Sequence, residues 1–310
     1  MSILTVRHVT AYRYRQPVAF GEHRMMLRPR EGHDQRLLDT SLVITPAPER
    51  IRWAHDVFGN SVAVARFRGR STELRFESVS RLDRSSSGAL EFDVEDYAAT
   101  YPFTYSMEEM PDLARSIERH YADPDRMVDR WAARFVSNTG RTGTVDMLVA
   151  MTHAIKEQLT YIARHERGIQ SARETLTLGS GTCRDFAVLM MEAARSLGLA
   201  ARFVSGYIYS PRAGRHAYSG GGSTHAWARI YLPGAGWVEF DPTNGLIGNR
   251  ELIRVAVTRD PRQALPLHGT YTGFPADNLG MTVEVSVTES DADAVVAGAV
   301  VVGAVVVGGC

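Results

Sequence analysis

Over roughly the first 90 residues, apolar and polar positions alternate with the two-residue period of half-buried strands. The pattern predicts strands over Ile3–Tyr14, Asp39–Pro46, Ser61–Gly69 and Thr72–Leu82, with turns at Leu27–His33 and Phe58–Ser61. Short strands at this spacing predict a small, sandwich-like antiparallel β domain. The period then lengthens. Residues 108–120 and 124–136 read as helices, and Thr144–Tyr161 carries Met147, Leu148, Met151, Ile155 and Leu159 on one face. A further helix starting at Cys183 carries Phe186, Leu189, Met190, Ala193 and Leu197, with Gly198 placed to cap its end. A strand follows over Ala201–Tyr209, then a Gly-rich loop, Ser210–Ser223, then strands at His225–Leu232 and Gly236–Pro242. That order describes an α+β fold in which one helix packs on an antiparallel sheet.

The expected organisation is a β domain over 1–95, a second domain over 96–290 and a low-complexity tail over 291–310. The tail segment Ala294–Cys310 is almost wholly Val, Ala and Gly, at the short edge of a membrane-span length. It reads first as a disordered or artefactual extension, with a strand or a membrane contact as the alternatives. Lys plus Arg and Asp plus Glu number 35 each, so charge offers no argument for nucleic acid or an anionic membrane as partner. The first residues lack a secretory pattern, and two distant cysteines do not make a disulfide framework. A reducing cytoplasm is the expectation.

Chemistry concentrates at three positions. Cys183 begins a helix, where unpaired N–H groups and the helix dipole favour a thiolate. Such sites lower a thiol pKa from about 8.5 to roughly 3.5–7.5. His225 opens a strand, and Asp241 closes the next, so an antiparallel hairpin sets them side by side. Nucleophile, base and orienting carboxylate would be the roles. Taken singly, a cysteine is commonly a small buried hydrophobe, a strand histidine structural, and an Asp before Pro a turn former.

The segments "GTCRDFAVLMMEAARSLGLAARFVSGY" and "THAWARIYLPGAGWVEFDPTNG" resemble the transglutaminase-like superfamily, whose core is that of papain-type thiol enzymes. "YRYRQPVAFGEHRMMLRPR" and "VAVTRDPRQALPLHGTYTG" extend the similarity to bacterial transglutaminase-like proteins with an N-terminal β region. One departure is Thr258, where glycine is expected. The resemblance implies a papain/transglutaminase-like core with Cys183 as nucleophile, His225 as base and Asp241 as orienting group. It implies a thioester acyl-enzyme formed from a peptide, protein or amide substrate. Gln158 and Tyr161 are candidates for a second oxyanion donor, and His216 for a cleft contact. Asp185 is expected to favour the helix N-terminus electrostatically. A cysteine protease or amidase is the leading expectation. An amine-accepting transferase and a non-catalytic binding module are its rivals. No cofactor is called for, and close-spaced metal-ligand pairs are missing from the sequence.

Overall fold

The computed structural model describes residues 2–84, 93–138, 140–164, 168–209, 224–248 and 250–291. His216, the Ser210–Ser223 loop and the Ala294–Cys310 tail lie outside these.

The N-terminal region is one antiparallel sheet of seven strands. Its spine is β1 (Ser2–Met25), with β2 (Arg36–Thr45), β3 (Arg50–His55), β4 (Ser61–Arg66) and β5 (Arg70–Arg84) in the order β2-β5-β1-β4-β3. β1 is twice as long as the alternation at Ile3–Tyr14 suggested, because it serves two sets of partners. Its first half pairs β5, and the last three residues pair β4. The β5 ladder breaks between Arg13 and Val18, and Pro17, which has no N–H to give, sits in that break.

The second region holds α1 (Met110–Ile117), α2 (Met127–Ala133), α3 (Thr144–Gln158), α4 (Ala172–Leu178) and α5 (Cys183–Ser196). Its sheet comprises β6 (Ala201–Ile208), β7 (His225–Leu232), β8 (Gly236–Asp241), β9 (Leu246–Ile247) and β10 (Leu252–Thr258), in the order β9-β8-β7-β6-β10. α5 lies on β6 and β7, with α2, α3 and α4 against it from other sides. It is therefore buried almost all round, rather than along the single apolar face the periodicity indicated. Its polar residues Glu192 and Arg195 pair at 2.9 Å, and Arg119 reaches Glu192 at 3.0 Å. Gly198, at φ 79°, follows the last turn as expected.

The chain then returns to the first sheet. β11 (Leu267–Thr272) and β12 (Asn278–Asp291) both pair β1. Strands β11 and β12 up to residue 290, which the sequence places with the second region, thus hydrogen-bond into the first. The reason is that β1 would otherwise present a long open edge. The regions also meet along β10. The Gln35 amide bonds both Arg254 N and Arg254 O, at 3.1 and 3.0 Å, and the Asn60 amide does the same for Val257, at 2.9 Å each. Two side-chain amides therefore satisfy an edge strand's backbone. Arg254 itself forks onto Asp34 at 2.6 Å and meets Glu239 at 3.0 Å. Thr258 is fully buried and donates to Asp260 O at 2.9 Å, which gives the unexpected hydroxyl a place.

Candidate active site

Local sequence fixes where α5 begins. Ser171 and Glu174 form a capping box that starts α4, and Gly179, at φ 63°, ends it. Thr160–Tyr161 then pairs in parallel with Ser180–Gly181, through Thr160 N to Gly179 O at 2.9 Å and Ile162 N to Gly181 O at 3.0 Å. This capture ends α3 at Gln158, and Leu159 turns extended, so Tyr161 is a strand residue and not a helix end. Thr182 caps α5, and Cys183 is the first helical residue, fully buried.

Asp185 does more than bias the helix end. Its carboxylate accepts from Thr182 N at 2.8 Å, Thr182 Oγ1 at 2.9 Å, Gln170 N at 2.7 Å and Arg164 Nη2 at 3.0 Å. A buried charge this well satisfied ties Arg164 and Gln170 to the turn that presents Cys183.

His225 is the first residue of β7 and pairs Gly206 of β6. A side chain at Gly206 would put a Cβ 2.0 Å from Ile253 O and 2.7 Å from Trp227 Cη2. Glycine is required there, so that β6, β10 and the Trp227 ring can close behind His225. The Trp227 ring stacks on the imidazole, with centroids 5.9 Å apart and planes 28° apart.

Asp241 ends β8 and is fully buried. His225 Nε2 meets Asp241 Oδ2 at 2.8 Å. Asn244 Nδ2 donates to the same oxygen at 2.9 Å and stands 3.4 Å from His225 Nε2. Thr243 N donates to Asp241 Oδ1 at 2.9 Å, an Asx turn set up by "DPTN". Burial pushes the Asp241 carboxyl up. The charge of His225, with hydrogen bonds from His225, Asn244 and Thr243, outweighs this and holds it below the ordinary carboxylate range. Asp241 therefore stays ionised beside the ring. In that state Nε2 carries the proton and Nδ1 is the basic nitrogen.

The three expected residues thus fall on the elements foreseen. Cys183 starts the helix that packs on β7, and Cys183 and Ala226 belong to one apolar cluster. Tyr161 lies beside Gly181, its ring 6.4 Å from that of Phe186, while Gln158 is exposed at the end of α3. Asn244, Thr243, Trp227 and Gly206 were not singled out from sequence. Only Asn244 and Thr243 carried a signal, in the turn-forming "DPTNG". Among the described residues, no group of three His, Cys, Asp or Glu side chains is arranged to hold a metal ion. Nor is any described helix long and apolar enough to cross a membrane.

Comparison with known proteins agrees with this architecture. Residues 4–83 match the bacterial transglutaminase-like N-terminal region, and residues 129–242 match the transglutaminase-like superfamily. An uncharacterised protein of Mycobacterium leprae is 28% identical over 284 residues, covering 91% of this chain and 98% of its own. One of Mycobacterium tuberculosis is 29% identical over 306 residues, covering 93% of each. The crystal structure of a "Putative Cysteine Protease" from Cytophaga hutchinsonii superposes with a TM-score of 0.67 at 20% identity, over 94% of this chain and 92% of that one, and so shares the fold. With the β region and the Cys183-to-Asp241 core matched in order along one chain, this protein belongs to the transglutaminase-like superfamily.

Proposed function

We propose that the protein is a thiol-dependent acyl-transfer enzyme that hydrolyses peptide, isopeptide or related amide bonds. The observation that carries this is the fully buried His225–Asp241 pair, 2.8 Å apart, at the end of the strand on which the Cys183 helix packs. Burying an ionised carboxylate against a histidine carries a desolvation cost that its hydrogen bonds must offset, and perturbed groups of this kind cluster at functional sites.

In this reading the Cys183 thiol first gives its proton to His225 Nδ1, and Sγ, now a thiolate beside the imidazolium, attacks the substrate carbonyl carbon. The oxyanion is met by N–H groups at the start of α5. His225 gives its Nδ1 proton to the departing nitrogen as the C–N bond breaks, which leaves a thioester and a free amine. Water then gives a proton to His225 as its oxygen attacks the thioester, and Cys183 leaves as thiolate with the acid product. Asp241 holds the ring throughout and stabilises the imidazolium before the amine leaves and again after water is deprotonated. Tyr161, beside the Gly181 backbone, is the better placed of the two side-chain oxyanion candidates.

The test compares the native enzyme with Cys183→Ala on a panel of peptide, isopeptide and simple amide substrates, with and without a labelled primary amine. Cleavage that disappears in Cys183→Ala and leaves the amine unincorporated is the expected result. Incorporation of the amine would move the assignment to transferase. Equal turnover by Cys183→Ala would remove the thiol from the chemistry.

A further inference from the structure

β3 is the last strand of its sheet and pairs only β4 among the described residues. Its six residues, "RIRWAH", are exposed except for a half-buried Ala54. An edge strand this open is normally blunted, because its free N–H and C=O groups template another strand. The two faces of β3 differ sharply. Ile51, 39% exposed, and Trp53, 51% exposed, line a cleft of about 300 Å³ that has Met25, Leu27 and Leu42 on its apolar side and Arg28 and Ser78 among its polar groups. Arg50 and Arg52 point to the opposite face, around a shallow depression floored by Val64, beside Arg66. Arg24 joins them there, since its strand partner is Val64, whose other partner is Arg52. Glu22, paired with Arg66 at 3.2 Å, is the acidic group lining that depression. Arg24, Arg50 and Arg52 have no ion-pair partner among the described residues. In a chain of zero formal net charge, this face is a local concentration of positive charge.

We infer that β3 is a docking edge for an extended peptide segment of a partner protein in which acidic and apolar residues alternate. The partner strand extends the sheet through backbone hydrogen bonds. Its apolar side chains enter the Trp53 cleft, and its carboxylates meet Arg50 and Arg52. The period-two order Arg-Ile-Arg-Trp specifies a period-two partner, because a slip by one residue would set apolar groups on the arginines and take them away from Ile51 and Trp53. Charge complementarity on one face and the exposed Ile51 and Trp53 side chains on the other favour this occupant over nucleic acid. A phosphate backbone would use the arginines and leave Trp53 idle.

The experiment measures binding of an N-acetylated peptide of about eight residues alternating Glu with Val and Phe, a length typical of strands. Calorimetry and tryptophan fluorescence are the readouts, on the full chain carrying Cys183→Ala so that turnover does not interfere. The peptide is expected to bind, more weakly at high salt. A same-composition peptide with the acidic residues in one block should lose about ten-fold or more in affinity, as should Trp53→Ala and Arg50→Glu/Arg52→Glu, at the level of interface hot spots. Both variants alter exposed side chains, and circular dichroism confirms their folding. Absence of binding, equal binding of the blocked peptide, unchanged affinity in the folded variants, tighter binding of an oligonucleotide, or self-association through β3 in sedimentation would each overturn the inference. None of these outcomes depends on the proposed chemistry at Cys183.

Discussion

Asp241 has three neighbours whose hydrogen bonds require it ionised. Asp241→Asn offers one acceptor oxygen and an amide in place of two acceptors. The amide nitrogen faces donors at either oxygen position, Thr243 N–H on one side and Asn244 on the other. The side chain keeps its size, so the fold should survive, while His225 loses the group that fixes its tautomer. The expected result is a fall in kcat/KM of at least about 100-fold with KM little changed, read by steady-state kinetics on whichever substrate the panel yields. Retention of most of the activity would take Asp241 out of the mechanism. Acid stability follows from the same environment. Because the folded pKa is depressed, the stabilisation from this carboxylate is complete above its unfolded value and is lost only as pH falls through the still lower folded value. An acid limb of activity near pH 5–6 would therefore belong to another group. The triad candidates were legible because each sits where chain order dictates its place: a glycine-led helix start, a strand start and a strand end. Asn244 and Trp227 were not, because their roles depend on which neighbour the fold brings to them.

Gly206 shows how one residue conditions three strands. β6 is bonded to β7 on one side and to β10 on the other, and the β10 ladder shifts register between Ser205 and Gly206. The bulge brings Ile253 O to where a Cβ would stand. Backbone on that side cannot move aside as a flexible side chain would, so Gly206→Ala should cost about 3 kcal/mol, the upper end for overpacking. A lower urea midpoint at unchanged slope would report it. Activity should fall as well, since the displaced elements are those that hold His225 and Trp227. A midpoint equal to the native one would mean the strands part without cost. At this scale, legibility tracked the strength of period and punctuation. α3 and α5 stood out through their apolar repeats. α4 was missed although Ser171 and Glu174 carry the S-x-x-E start signal, because only seven residues follow before Gly179. β11 and β12 were missed for another reason. Strand pairing is a long-range event, and β12 finds its partner more than 260 residues away, with Ser2 opposite Asp291.

The two sheets also meet on buried side chains. Leu4, Val6 and Leu82 of the first pack with Tyr207, Ile253 and Val255 of the second. Within this contact lies His8, 2% exposed, whose Nδ1 is 2.8 Å from the Tyr207 hydroxyl and whose Nε2 is 3.0 Å from Thr10 Oγ1. Both ring nitrogens face neutral hydroxyls, and no carboxylate among the described residues pairs with the ring. Burial pushes the His8 imidazole down from 6.5 to about 4. Between those values the unfolded chain binds a proton that the folded chain refuses, so stability rises with pH across that window. Full stability should be present above pH 6.5, with a loss approaching roughly 3 kcal/mol by pH 4 from this residue, since each pKa unit corresponds to about 1.4 kcal/mol. His23 and His120 are also pushed down by burial and share the same sign, so the native slope is a sum. His8→Gln isolates one contribution. It keeps a polar group opposite Tyr207 and Thr10 but does not titrate. Its stability, followed by denaturant unfolding between pH 4 and 7, should start below the native value at pH 7 and fall less steeply on acidification, so that the two curves converge. Parallel curves would mean that His8 is not what makes the contact between the sheets sensitive to acid.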